Sequence, residues 1–247
     1  MKIANGIDML EISANIMGTA SVIHPTLIWN NESVILIDTG YPGQLPQIRE
    51  AIENTGASFN KLNIVILTHQ DIDHVGSLSS ILKELPNRVV VLAHKKEKAY
   101  IQGEKIPVKV AQLQENLDSL PKEMKVIYEK LKAFYENNQS NVDRTISDGE
   151  ELPYSEGITV IYTPGHTPGH ICLYVKHCKT LIAGDALKIE GGLLVQAAQS
   201  TNFDRDLSIN SLKRLLQYDI ETVICYHGGV YKGDANKRIA ELADVFL

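Results

Sequence analysis

The sequence predicts an α/β fold in which two β-sheets pack face to face with helices outside. Three observations predict it. Strand patterns and helical patterns come in two successive sets, each β-rich first and helical afterwards, as in a layered structure. The clearest strand, Asn63-Ile64-Val65-Ile66-Leu67, is short, apolar and β-branched, the composition of a buried strand. Four such runs end directly in a polar cluster, an arrangement that places sites at strand ends. At 247 residues the chain exceeds the usual single-domain size, yet sandwiches of this length commonly form one unit, so residues 1–247 are read as one domain.

Taken in order, residues 7–12 alternate apolar and polar, and a second run covers 21–29. A turn at Asn30-Asn31 and the buried run 34–37 complete an antiparallel opening. Asp38-Thr39-Gly40-Tyr41-Pro42-Gly43 is loop chemistry. A helix is expected at about 45–54, with Ile48, Ala51 and Ile52 on one face and Gly56 as its stop. Strand 63–67 delivers Thr68-His69-Gln70-Asp71-Ile72-Asp73-His74; helix 77–85 and strand 88–92 follow. From 94 to about 141 the texture changes to Lys, Glu, Gln, Leu and Ala. This stretch reads as two or three helices broken at Pro107 and Pro121, a helical insertion that is either a lid or surface padding. Strands return at 158–162, 171–175, 180–183 and 222–225, and helices at about 207–218 and 235–246.

Composition narrows the function classes. An apolar share of 44% and a charged share of 22% allow a sizeable core and exclude disorder, collagen and coiled coil. A net charge of −6, with Lys and Arg scattered and not striped, argues against a nucleic-acid partner. No apolar run reaches the roughly 18 residues of a membrane span, and the N-terminus lacks a cationic segment followed by an apolar core. No membrane partner is therefore expected, and the location is read as cytoplasmic. Cys172, Cys178 and Cys225 form neither a C-x-x-C pair nor an even set, so they read as reduced thiols.

The chemistry lies in the four clusters at strand ends: 69–74, Thr163-Pro164-Gly165-His166, Ala183-Gly184-Asp185 and Tyr226-His227-Gly228-Gly229. Imidazole and carboxylate are ligands for zinc, manganese or iron, and a catalytic metal must keep a position open. In the first cluster an extended start points residues 69 and 71 to one side. A following turn brings 73 and 74 round to a second position, so one segment feeds two metals.

These residues resemble the metallo-β-lactamase-fold superfamily, whose hallmark T-H-x-H-x-D-H reads here Thr68-His69-Gln70-Asp71-Ile72-Asp73-His74. The likeness extends to the loop Ile37-Asp38-Thr39-Gly40 and to the phrase Thr163-Pro164-Gly165-His166-Thr167-Pro168-Gly169-His170. It implies a four-layer αββα sandwich of two mixed sheets with outer helices, and a dinuclear hydrolase. By position, one metal takes His69, Asp71 and His166, the other takes Asp73, His74 and His227, and Asp185 bridges.

The family's second His is replaced by Asp71. Two divalent ions and three carboxylates then leave the cluster one charge less positive than the common version. Zinc follows from the resemblance, whereas Asp71 favours iron or manganese. Flavodiiron proteins of the same superfamily also carry a carboxylate here, which raises di-iron oxygen or nitric oxide reduction as the alternative.

The expected reaction is attack of a metal-bridging hydroxide on a small ester-like substrate, a lactone, thioester, ester or amide, with Asp73 orienting the nucleophile or shuttling its proton. A secreted β-lactamase and a glyoxalase II-like thioesterase are disfavoured, because neither a signal peptide nor the C-terminal helical glutathione-binding region is read. Asp38 is expected to orient a ligand histidine. His170, Tyr226 and His24 are candidates for lining or supporting the pocket, and Tyr41 for contacting a substrate oxyanion. A homodimer through the helical insertion is a further expectation.

Overall fold

In the computed structural model, which describes residues 1–16, 19–85 and 89–244, the apolar runs become strands whose side chains alternate between two interiors. The chain runs through β1 (Lys2–Ala4), β2 (Ile7–Met9), β3 (Ile12–Ile16), β4 (Thr19–Ile23), β5 (Thr26–Trp29), β6 (Val34–Ile37), α1 (Leu45–Asn54) and β7 (Leu62–Leu67). Next come α2 (Ile72–Val75), α3 (Leu78–Glu84), β8 (Val90–His94), α4 (Lys95–Ile101), α5 (Val108–Glu115), α6 (Lys122–Asn137) and β9 (Arg144–Ile146). The second half holds β10 (Glu151–Leu152), β11 (Ile158–Tyr162), β12 (Ile171–Val175), β13 (Thr180–Ile182), β14 (Leu187–Glu190) and β15 (Leu193–Gln196). It ends with α7 (Arg205–Leu215), β16 (Thr222–Cys225), β17 (Gly229–Tyr231) and α8 (Ala235–Asp244).

One sheet has the order β1-β2-β5-β6-β7-β8-β9 and the other β10-β11-β12-β13-β16-β17. Both are mixed: β6 through β9 run parallel, as do β13 and β16, and the remaining neighbours are antiparallel. Parallel register pairs Ile35 with Ile64 and Ile37 with Ile66. These four side chains face the second sheet and pack with Val160, Ile171, Leu173 and Ile224 in a central core.

Their chain neighbours Leu36, Val65 and Leu67 point the other way, into a core with Ile48, Ile52 and Ile81 of α1 and α3. On the second sheet Cys172, Leu181 and Val223 pack outward with Leu212, Leu215 and Ile239 of α7 and α8. Helices, sheet, sheet and helices thus form four layers. Burial of both strand faces explains why β6, β7 and β12 read as unbroken apolar runs.

Some expectations shift. The run 21–29 divides at His24-Pro25: β4 pairs with β3 in a separate hairpin and β5 joins the first sheet, since proline has no N–H to continue a ladder. The helix placed at 207–218 starts earlier, at Arg205, because the Asp204 side chain accepts from Leu207 N and caps it. Residues 94–141 form three helices, with Pro107 and Pro121 at the N-caps of α5 and α6. Because β8 pairs with β9 across them, they are an excursion between neighbouring strands. The hairpin β14–β15 and the short strands β9, β10 and β17 carried no readable apolar run. Arg88 and Phe246, the ends of two expected elements, lie outside the described residues.

Candidate metal centre

Parallel β6 and β7 end side by side, so Asp38 and Thr68 meet just beyond the first sheet. Asp38 adopts a left-handed backbone (φ 63°), which its short polar side chain tolerates better than most. Its Oδ1 accepts from Thr68 N at 2.8 Å and its Oδ2 from Thr68 Oγ1 at 2.7 Å. His74 Nδ1 lies 2.8 Å from the same Oδ2. With Nδ1 donating to Asp38, His74 turns Nε2 towards the cluster.

The segment after Thr68 changes direction at Asp71, which is extended and immediately precedes the single turn α2. His69 and Asp71 therefore face one way while Asp73 and His74, on the turn, face another. The second sheet supplies the rest: His166 follows β11, Asp185 follows β13 and His227 follows β16. Two groups result, His69, Asp71, His166 and Asp185 in one and Asp73, His74 and His227 in the other, each with donor atoms within 4.8 Å of one another. Asp185 lies between them: Oδ1 is 3.3 Å from His74 Nε2, and Oδ2 is 3.4 Å from His166 Nε2 and 3.5 Å from His227 Nε2. In the first group Asp71 Oδ2 is 3.2 Å from His69 Nε2 and 3.0 Å from His166 Nε2. In the second, Asp73 Oδ2 is 3.2 Å from His227 Nε2.

These donors fit a divalent metal. Among the described residues, His69 Nε2, His74 Nε2 and Asp185 Oδ1 are buried without a hydrogen-bond partner. A buried polar atom left unsatisfied costs about 1–3 kcal/mol. Three such atoms converging on carboxylates and imidazoles are the signature of a cation site. Burial opposes ionisation of Asp71, but Lys109 and His69 outweigh it and hold the carboxyl well below its usual range. Asp185 is likewise held low, by His227 and His74 against burial. Burial works to lower His227, yet Asp185 and Asp73 lift it to about 10.

The remaining candidates support these groups from behind. His170 is fully buried; its Nε2 accepts from Asp185 N at 3.0 Å and its Nδ1 lies 2.9 Å from Thr163 Oγ1. Burial and the neighbouring imidazoles of His69 and His166 keep it well below its ordinary pKa, hence neutral, as an acceptor of a backbone N–H must be. A Cβ at Gly184 (φ +50°) would stand 2.7 Å from His170 Nε2, so only glycine allows this approach. Tyr226 lies against His74, ring centroids 3.9 Å apart, and its hydroxyl donates to the Asp73 carbonyl. It is not among the residues that wall the cavity above the cluster. His24 Nδ1 lies 3.1 Å from the Tyr226 carbonyl, and a bridge from Ile23 to His227 ties β4 to the same loop.

A cavity of about 290 Å³ opens above, walled by Tyr41, Asp73, Lys109, His166, Lys188 and His227 among others. Tyr41 bonds Asp73, and burial with that carboxylate pushes its phenol up.

The helices between β8 and β9 dock on the centre through Gln70, the residue between His69 and Asp71. Gln70 Nε2 donates to Glu97 Oε2 at 2.9 Å, its Oε1 accepts from Val108 N at 2.9 Å, and its carbonyl accepts from Tyr135 Oη at 3.0 Å. Glu97 also accepts from Thr167 Oγ1 and Gly169 N, joining the two loops that carry His69 and His166. Lys109 of α5 ion-pairs with Asp71. Sequence reading missed Glu97 and Lys109, because a Glu or Lys on an amphipathic helix looks the same whether solvated or docked. Gln70 stood in the cluster without a role.

The Metallo-beta-lactamase superfamily pattern matches residues 18–227. The chain belongs to that superfamily. Among its relatives, the probable metallo-hydrolase YflN of Bacillus subtilis is 32% identical over 160 residues, 63% of this chain and 56% of the relative. A hydroxyacylglutathione hydrolase of Buchnera aphidicola is 28% identical over 215 residues, 85% of this chain and 64% of the relative. The chain thus spans less than two thirds of these curated relatives. A metallo-beta-lactamase family protein from Thermus thermophilus has the same fold, with a TM-score of 0.75 at 22% identity over 98% of this chain and 80% of that one. Among the described residues no helix is long and apolar enough to cross a membrane.

Proposed function

We propose that this chain is a metal-dependent hydrolase that cleaves an ester-like bond of a small molecule: a lactone, thioester, ester or amide. One divalent ion would be held by His69, Asp71 and His166 and a second by Asp73, His74 and His227, with Asp185 between them. The observation that carries the reading is the convergence of the two groups on one carboxylate, with buried imidazole nitrogens that make no hydrogen bond, under an open cavity. When bound, such ions supply Lewis acidity and a water acidified enough to attack near neutral pH.

The chain's own residues then divide the remaining work. Asp38 and His170 set the orientation of His74 and Asp185. The Asp73 carboxylate borders the cavity beside His227, where it orients the attacking water or carries its proton. The names of the relatives, a metallo-hydrolase and a hydroxyacylglutathione hydrolase, support hydrolysis and put thioesters in the substrate panel.

Three carboxylates in the centre favour a harder metal than the family's usual zinc. Iron or manganese therefore stands beside zinc, and a di-iron redox protein is the second reading. Anaerobic purification with elemental analysis, followed by lactone, thioester and ester panels on the same sample, separates them. Hydrolysis by a two-metal form is the expected result. Two irons with oxygen uptake and no hydrolysis would replace the first reading by the second.

A further inference from the structure

The first donor group already holds a cation of the protein's own. Lys109 Nζ ion-pairs with Asp71 Oδ2 and lies 3.3 Å from His166 Nε2, so it meets two of the four donors of that group. The second group is different. Among the described residues the ion pairs of Asp73 are with His74 and His227, and those of Asp185 with His74, His166 and His227.

The reach of Lys109 is built into the fold. Val108, the residue before it, donates its N–H to the side chain of Gln70, between His69 and Asp71. Tyr135 of α6 holds the Gln70 carbonyl. The start of α5 is thereby fastened to the very segment that carries the donors, and the four-carbon stem of Lys109 spans the remaining gap. A lysine ammonium is a compact charge on a flexible stem, which can withdraw where a rigid arginine fork would be held.

We propose that Lys109 is an internal counter-cation that competes with a divalent ion for His69, Asp71 and His166, so that the Asp73, His74 and His227 group fills first. The inference rests on the metal reading above. Its physical basis is Coulombic: a unit positive charge a few Å from a divalent ion repels it strongly at an effective dielectric near 20. The first group therefore accepts its ion only as the ammonium swings out towards the cavity. The excursion between β8 and β9 thus sets the order of metal filling, a role distinct from shaping a substrate pocket.

The test is titration of the chelator-stripped full chain with Zn²⁺ alone, followed by calorimetry and by elemental analysis at limiting metal. Wild type should bind in two steps of unequal affinity. Lys109→Met should strengthen the weaker step by at least about tenfold and leave the tighter one unchanged. Lys109→Gln, neutral but polar, should behave like the methionine variant, while Lys109→Arg should keep two unequal steps. Neutral variants indistinguishable from wild type would overturn the competition and leave the metal reading standing, as would two equal steps in wild type. Absence of Zn²⁺ binding in wild type and variants alike would overturn both.

Discussion

Asp38 and Glu97 show how far single residues decide this centre. Asp38 fixes the His74 ring by one hydrogen bond and the strand end at Thr68 by two more. Asp38→Asn keeps a residue that tolerates the left-handed backbone but loses an acceptor. Loss of such a partner typically weakens metal binding by about 10–100-fold, which Zn²⁺ titration should register.

Glu97 answers to pH instead. Burial lifts its carboxyl to about 7 from 4.5, against the pull of Gln70, Thr167 and Gly169. Between those values the folded chain holds a proton that the unfolded chain has released, so stability is full below about 4.5 and falls as pH rises towards 7. At about 1.4 kcal/mol per unit the loss is roughly 3 kcal/mol. Glu97→Gln has no such titration; denaturation of the metal-free protein across this window should show the variant gaining on wild type by that amount. Equal slopes would exclude the burial effect. Asp38 was legible in the sequence because it follows a buried strand in a recognisable loop, whereas Glu97 was not: nothing local marks a helix residue as buried.

At the scale of elements, the Gln70 side chain is the point where α4 and α5 both meet the site. Removing Gln70 as Gln70→Ala leaves Val108 N–H and the Glu97 carboxylate each short of a partner, at about 1–3 kcal/mol apiece. Amide exchange in residues 95–137 should then accelerate ahead of β7 and β12; unchanged exchange there would show that packing alone seats the helices. The strand ends were legible for a physical reason. Strands buried on both faces leave unbroken apolar runs, and the polar cluster after each run stands out against them. The hairpin β14–β15 was not, because Lys188, Glu190 and the exposed Leu193 alternate without such a run.

For the molecule as a whole, stability and the centre are linked through the two sheets. Ile66 is fully buried in the core between them, and Ile66→Ala should cost about 2–5 kcal/mol, read as a lower denaturant midpoint. The centre draws its donors from both sheets, so a bound metal ties them together. Zn²⁺ at 100 times its dissociation constant should add about 2.7 kcal/mol and raise the melting temperature. A melting temperature indifferent to Zn²⁺ and to chelator would deny that these residues bind it in the folded state.

Sequence by itself determined the layered class, the strands buried on both faces, and the seven residues His69, Asp71, Asp73, His74, His166, Asp185 and His227 as one constellation, Asp71 included as a departure from the family pattern. These are local properties: apolar periodicity, strand-end clusters and their order along the chain. Tertiary structure alone decided that Gln70 anchors the helical excursion, that Glu97 meets Thr167, 70 residues further along the chain, that the Tyr226 hydroxyl donates to the Asp73 carbonyl, and that Lys109 stands against Asp71. Each depends on how one element docks on another, and docking is set by long-range packing that leaves no mark in the periodicity of either segment.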